Sequence, residues 1–496
     1  MWAPADKPVR DVAVVDVGSN SVRLVLYRVE GRAIWTVFNE KVLAGLGRDL
    51  SRTGRLSPDG VMLALSALRR FRLVLDGAGE AEVHAVATAA VREAQDGRAF
   101  VERVWLETGL KVRVLSGEEE ARLSALGVTA GQPGANGLVG DLGGSSLELI
   151  RLNRGRASRG VTLPLGPLAL GAPDFEPEAV RRIAAERLGR LPRTLRAECF
   201  YAVGGAWRNL ALLQMRLAGY PLAIVQQYEM PARDALAVAR LMASQSASSL
   251  DRIEGMSKKR AETLPYAALV LEAIIERLGV SRIVISAHGL REGLVFESIP
   301  KDLRALDPLV EGCTALGARQ GVADQLGPAL EAWLTPLWQA LDPVFEPSRQ
   351  TVLLAAACRL ADIGARLHPD HRADLVFDQV LRAPIAGQSH AERAFLATAA
   401  FARHTAQPLP FAEFDRVLSP ERMRRARALG AAMRLGCDLS GRSAPLLSKA
   451  SLRIDRGALT LTAQRDHADL LLGEHTTKRL NALAQVLELE PRVRTA

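Results

Sequence analysis

The first thirty residues alternate in a way that predicts two strands joined by a turn. Val12-Ala-Val-Val15 is apolar, Asp16-Val-Gly-Ser-Asn-Ser21 is polar and turn-forming, and Val22-Arg-Leu-Val-Leu-Tyr-Arg-Val29 sends apolar side chains to alternating faces. Such a hairpin differs from the strand-to-helix passage of a dinucleotide or P-loop fold, and neither glycine signature of those folds appears here. Ser57-Pro58-Asp59 ahead of Leu63, Leu65, Leu68 and Phe71 predicts a helix capped by Ser57 and started by Pro58. Val83-His-Ala-Val-Ala87 and Val112-Arg-Val-Leu115 predict further short strands, each leading into a helix.

After Gly131-Gln-Pro-Gly-Ala-Asn-Gly137 the opening pattern returns. A strand around Leu138-Val139 is followed by Asp141-Leu-Gly-Gly-Ser-Ser146 and then by Leu147-Glu-Leu-Ile-Arg-Leu152. Asp16 and Asp141 stand 125 residues apart in matching places, which reads as an internal duplication. The second copy continues with a helix predicted at about 174–196, a strand into Val203-Gly204-Gly205, helices at about 207–217 and 261–278, and a strand Ile283-Val-Ile285 before His288-Gly289. Beyond about 305 the apolar spacing is helical, with Ala- and Arg-rich faces, as far as about 445. The last fifty residues hold two alternating stretches, 451–455 and 458–462, and a terminal helix. The expected domains are therefore 10–135, 136–305, 306–445 and 446–496.

Composition narrows the class. With 48% hydrophobic and 24% charged residues over 496 positions, neither a disordered nor a fibrous chain is expected. The four cysteines lack Cys-x-x-Cys spacing and predict neither a disulfide framework nor a zinc site. No apolar run approaches about 18 residues, and the N-terminus lacks a signal-like apolar core, so a cytoplasmic protein without a membrane partner is expected. The net charge of +9, from 64 Lys and Arg against 55 Asp and Glu, points to a polyanion. Charge alone leaves nucleic acid, an anionic membrane and a phosphate-rich substrate open; at 5% aromatics, base stacking is disfavoured and no nucleic-acid partner is expected.

Two turns of Asp, Gly, Ser and Asn, each between strands, would cradle anionic oxygens with backbone N–H groups and short side-chain donors. Facing each other they would clamp a phosphate, and Asp16 and Asp141 would hold Mg²⁺ or its waters, since a hard cation takes one or two carboxylates beside phosphate oxygens. In Ser116-Gly-Glu-Glu-Glu-Ala-Arg122, Ser116 and Glu119 fit a capping box and Glu118 can pair with Arg122. Glu120 lacks such a local partner and is free to orient water for attack on a phosphoryl group. Three glutamates in a first turn are equally what the helix dipole favours.

Asp16-Val-Gly-Ser-Asn-Ser, Ala85-Val-Ala-Thr-Ala-Ala-Val-Arg-Glu93, Ser116-Gly-Glu-Glu-Glu-Ala-Arg122, Asp141-Leu-Gly-Gly-Ser-Ser-Leu-Glu148, Val203-Gly-Gly205 and His288-Gly-Leu-Arg-Glu-Gly293 occur in order. Together they resemble the exopolyphosphatase and guanosine pentaphosphate phosphohydrolase (Ppx/GppA) family over about the first 300 residues. The resemblance implies an α/β fold of duplicated ribonuclease H-like lobes, of the actin-like ATPase superfamily, with a mainly α-helical HD-like C-terminal domain. It implies magnesium-dependent hydrolysis of terminal phosphoanhydride bonds between the lobes, other divalent cations being open.

Carried over by position, Gly18, Ser19, Asn20 and Ser21 and Gly143, Gly144, Ser145 and Ser146 would bind phosphate. Asp141 and Glu148 would be metal carboxylates, Arg92 a phosphate contact and Glu120 the residue that activates water; a one-residue shift of register would select Glu119 instead. The last third resembles the helical extension of the longer members, akin to metal-dependent His-Asp phosphohydrolases. Ala361 stands where the His of the pair would be, however, so no second hydrolytic centre is expected, and His368-Pro-Asp-His371 reads as a polar loop. Arg424, Arg425, Arg434 and Arg442 read as a track for a long polyanion, with a merely solvated helix face as the alternative. The expected partners are inorganic polyphosphate, with guanosine penta- or tetraphosphate as the rival, and a second copy in a homodimer. From other classes, a non-catalytic polyphosphate or alarmone sensor and a sugar kinase are the competing readings.

Overall fold

A computed structural model describes residues 8–79, 81–172, 174–245, 249, 262–409 and 412–496. Residues 1–7 of the N-terminus and residue 261 of the predicted helix lie outside them. The chain divides into two compact units, the break falling between Ala305 and Leu306.

The first unit begins with β1 (Val9–Val17) and β2 (Val22–Glu30), which pair antiparallel as the alternation predicts. Val12 to Val15 are all fully buried, because β1 is a central strand covered on both faces and therefore reads as a continuous apolar run. A third strand, β3 (Ala33–Val42), was not expected from the sequence; it extends the hairpin on the far side of β2. α1 (Pro58–Gly77) starts at Ser57 and Pro58 and buries Leu65, Leu68 and Phe71. β4 (Glu82–Ala87), α2 (Ala89–Glu93), α3 (Gly97–Thr108), β5 (Val112–Val114) and α4 (Gly117–Gly131) follow, and the five-stranded sheet has the order β3-β2-β1-β4-β5.

The second lobe repeats this plan. β6 (Gly137–Leu142) and β7 (Leu147–Asn153) form the equivalent hairpin, extended by β8 (Arg156–Ala157) and β9 (Val161–Leu163). α5 (Pro177–Gly189) is shorter than the predicted helix, since Pro192 lacks an N–H and restrains Leu191 from helical geometry. Next come β10 (Cys199–Val203), α6 (Gly205–Leu217), β11 (Glu229–Pro231), α7 (Ala232–Ser244), α8 (Leu264–Leu278), β12 (Arg282–Ser286) and α9 (Leu290–Ser298). β6 runs parallel to β10 as β1 runs parallel to β4, so each lobe sets an antiparallel hairpin against parallel strands. This is the duplicated ribonuclease H-like arrangement of the actin-like ATPase superfamily.

α4 and α9 cross at close range. A Cβ on Gly293 would strike the Leu123 carbonyl, and one on Gly127 would strike the Gly289 carbonyl. Glycine at these positions lets the start of α4, with its three glutamates, approach the end of the second lobe. Arg122 consequently pairs with Glu297 of α9 rather than with Glu118, whose partner is Arg159 at 3.8 Å. The expected i,i+4 pair is absent because packing against α9 offers Arg122 a nearer carboxylate.

The second unit is mainly helical: α10 (Pro308–Arg319), α11 (Leu326–Gln339), α12 (Pro347–Arg359), α13 (Arg372–Arg382), α14 (His390–His404) and α15 (Pro420–Ser440). β13 (Ala450–Asp455) and β14 (Ala458–Ala463) then pair antiparallel, and β15 (Glu490–Thr495) returns parallel to β14 after α16 (Glu474–Leu487). The four cysteines are buried and unbridged, and among the described residues no helix is long and apolar enough to cross a membrane.

Candidate active site

The two polar turns fold alike. Gly18 N donates to Ser21 O and Gly143 N to Ser146 O, each at 2.9 Å. Their carbonyls are strapped alike too: Ser19 and Asn20 accept from Gly47 and Gly45, and Gly144 and Ser145 accept from Leu168 and Gly166, at 2.8–3.1 Å. With the carbonyls so occupied, the turns meet tip to tip. A Cβ on Gly144 would lie 3.2 Å from Ser19 Cβ and 3.3 Å from the Asn20 backbone nitrogen, so only a residue without a side chain admits this approach comfortably. Gly47 fills the remaining corner, its Cβ position 3.1 Å from Ser19 Cβ and 3.3 Å from Ser145 Oγ.

Four carboxylates gather behind the turns. Asp16 and Asp141 end the central strands of their lobes, and Glu148 is the cross-strand neighbour of Asp141. Glu120 enters from the first turn of α4 and is buried, 7% exposed. Glu119, one residue earlier, is occupied: it accepts from Ser116 N at 2.9 Å, completes the capping box and pairs with Arg113 at 2.7 Å. These contacts hold the Glu119 carboxyl below its usual range. Glu120 instead meets Arg92, whose guanidinium also donates to Leu115 O at 2.8 Å.

Burial pushes the Glu120 carboxyl up to about 7 against the opposing pull of Arg92, with Asp141 and Asp16 adding to the rise. Glu148 is driven well above the carboxylate range by burial and then by Glu120. Asp16 and Asp141 are raised by burial too, in part offset by Arg291 beside Asp16 and by the Ser124 hydroxyl bonded to Asp141. Glu148 Oε1 and Ser145 Oγ are buried without a hydrogen-bond partner. Among the described residues no three His, Cys, Asp or Glu side chains form a ready-made metal cage. A magnesium site does not need one, since that ion usually keeps water and takes one or two carboxylates beside phosphate oxygens. The under-neutralised oxygens of Asp141, Glu148 and Asp16 are the hard donors such an ion prefers.

Four arginines complete the site, and three of them were given no role from sequence. Arg291 of α9 reaches Asp16 at 3.4 Å. Arg23, opposite Asp16 on β2, donates to Asn39 at 2.7 Å, and its guanidinium is lowered to about 10 by burial and by the neighbouring Arg291 and Arg208. Arg208 rises from the start of α6, its Nε 3.3 Å from Gly204 O. Arg291 lies inside the His288–Gly293 motif and Arg208 three residues after Gly205, so motif position was the available signal. Arg23 could have been found by sliding the duplication, which sets it against Glu148.

Each of the four C-terminal arginines has a partner within the helical unit. Arg424 is exposed and 3.4 Å from Glu488, while Arg425 lies over the Trp338 ring and donates to Asp342 O at 2.7 Å. Arg434 and Arg442 turn instead toward Asp438 and Asp362. His368 and His371 stand together in a turn with Asp370, outside any metal-binding cluster among the described residues.

The model of the Ppx/GppA phosphatase family matches residues 25–302, more than half of the chain. The chain belongs to that family. Membership places it among hydrolases, and the "Exopolyphosphatase, C-terminal" model matches residues 337–490. Exopolyphosphatase 1 of Mycobacterium tuberculosis is 31% identical over 324 residues, 62% of this chain and 90% of that protein. Retrograde regulation protein 2 of Saccharomyces cerevisiae is 27% identical over 335 residues, 60% of this chain but only 57% of the yeast protein's length. Among solved structures, the Aquifex aeolicus Ppx/GppA member aligns with a TM-score of 0.52 at 25% identity, covering 60% of this chain and 99% of that one.

Proposed function

We propose that the protein is an exopolyphosphatase, releasing orthophosphate from the end of inorganic polyphosphate by attack of water. The observation that carries this reading is the burial of Glu120 against Arg92 beside two like-folded turns that meet tip to tip. In this account the turns at 18–21 and 143–146 hold the terminal phosphate, with Arg92 neutralising its oxygens. Glu120 accepts a proton from the attacking water as the water oxygen bonds to phosphorus and the bridging P–O bond breaks toward the remaining chain. Charge neutralisation and positioning supply most of the catalysis in such a transfer. Asp141, Glu148 and Asp16 would hold Mg²⁺, which when bound supplies positive charge to the phosphate oxygens.

The name of the mycobacterial relative supports polyphosphate as substrate. The 5′-phosphate of guanosine pentaphosphate is the second reading, favoured by the arginine group of Arg23, Arg208 and Arg291 beside the turns, which suits a second cluster of phosphates. Phosphate release measured side by side on long polyphosphate and guanosine pentaphosphate, with and without Mg²⁺, tests both. Faster release from polyphosphate, dependent on the cation, is the expected result; release from the nucleotide alone would replace the reading with its rival.

A further inference from the structure

Outside the candidate site, the helical unit contains a second gathering of charge whose signs do not balance. Asp362, in the turn after α12, and Asp438 of α15 are surrounded by Arg403 of α14, Arg434 of α15, Arg442 just beyond α15 and Arg479 of α16. Four guanidiniums thus face two carboxylates. His404 adds no charge near neutrality, since burial and Arg403 bring it down to about 4.

Two of the arginines use up the carboxylates. Arg442 Nε lies 2.6 Å from Asp362 Oδ1, and Arg479 Nε lies 2.8 Å from Asp438 Oδ2. The other two, Arg403 and Arg434, are left short. Arg403, only 5% exposed, comes no nearer than 4.0 Å to Asp362 and 3.9 Å to Asp438, and its Nε is buried with no partner. Arg434 reaches Asp438 only at 4.0 Å. A buried guanidinium without hydrogen-bonded counter-charge is costly, and an oxyanion satisfies its fork best.

The backbone adds an independent sign. Arg442 follows Gly441 in the left-handed region at φ 67°, an uncommon conformation for a residue with a side chain, and this conformation accompanies its reach back to Asp362. Strain of this kind persists where surrounding structure fixes it, often at a ligand site. A divalent cation is excluded by the surplus of positive charge.

We infer that Arg403, Arg434, Arg442 and Arg479 form a phosphoryl-oxyanion site in the helical unit, separate from the site between the lobes. The choice of phosphate among oxyanions rests on the proposed function, whereas anion binding itself does not. The phosphate can be free orthophosphate or one unit of a polyphosphate chain.

Amide hydrogen exchange on the full chain in magnesium-free buffer reads the site locally. Orthophosphate or long polyphosphate should slow exchange in segments 360–367, 399–405 and 430–442 of the wild type, while sodium chloride at matched ionic strength should not. In Arg434→Gln the half-saturating concentration for this protection should rise roughly tenfold, the effect of one charge-assisted hydrogen bond. Protection of 16–21 and 141–146 should be unchanged in the variant. Protection by orthophosphate identifies a site for the free ion, and protection by polyphosphate alone a chain-binding site. Sulfate acting as well as phosphate would keep the anion site and remove its phosphate preference. No local protection by either phosphate species, or equal protection in Arg434→Gln, overturns the inference. If Arg434→Gln does not fold, Arg479→Gln serves in its place, with the same expected weakening. Because hydrolysis is not measured, failure here leaves the proposed activity standing, and failure of that activity leaves this test intact.

Discussion

In the first lobe Asp16 faces Arg23 across its hairpin, whereas in the second Asp141 faces Glu148. The two turns between these pairs share their hydrogen bond, their strapping segments and their place beside a parallel strand. Duplication has therefore kept the backbone cradle while the flanking pair has taken opposite charge. One half sets a cation beside its aspartate, the other a second carboxylate. A cleft with one basic and one acidic wall can hold a phosphate and a metal ion side by side, which two identical walls would do less well.

The largest expected effect comes from the acidic wall. Glu148→Gln and Asp141→Asn should each lower phosphate release by roughly 10²-fold or more, on the scale of losing an essential catalytic carboxylate, and raise the Mg²⁺ concentration needed for half-maximal rate. If both serve one cation, the double variant should lose much less than the product of the two losses. Strictly multiplicative losses with an unchanged Mg²⁺ requirement would separate the two residues.

Arg92 sharpens the comparison from the side of Glu120. It holds the Glu120 carboxyl down against burial, so Arg92→Gln should move the acidic limb of the pH–rate profile upward and cost more rate at pH 6 than at pH 8. An equal loss at both values would leave Arg92 with phosphate contact alone. On the basic wall Arg23→Gln should raise KM by about tenfold at most with little change in kcat, because Arg23 binds charge without touching the attacking water. A fall in kcat at constant KM would count against this assignment.

The smallest effect is on stability. Glu120 keeps its proton up to about 7 when folded and loses it near 4.5 when unfolded, so between these values the folded protein binds the extra proton. Its contribution is fully present below pH 4.5 and is lost as pH rises through 7. In magnesium-free buffer Glu120→Gln should therefore lose less Tm than wild type between pH 5 and 8, by a few degrees. Parallel Tm profiles would show that Glu120 is already ionised.

The paired hairpins were legible because alternation and the Asp-Gly-Ser turn lie in consecutive residues. β3 was not, since its outer residues Val37, Asn39 and Lys41 are those of a half-covered edge and its apolar side is interrupted by Glu40. The capping box of Ser116 and Glu119 could be read from spacing, and it singled out Glu120 as the glutamate left over. Spacing points Arg122 to Glu118 because its actual partner, Glu297, is remote in sequence. Arg291 and Arg208 show in the sequence only as motif positions, because it is tertiary packing that brings α6 and α9 to the ends of the central strands.

The most direct test of the account is turnover of long polyphosphate by Glu120→Gln beside Glu119→Gln, with binding of the same polymer measured on both. On this account Glu120→Gln should bind polyphosphate yet lose roughly 10²-fold or more in turnover, while Glu119→Gln, which keeps a capping-box side chain and loses only the charge paired with Arg113, should stay within about threefold of wild type. Near wild-type turnover in Glu120→Gln together with an inactive, folded Glu119→Gln would contradict it.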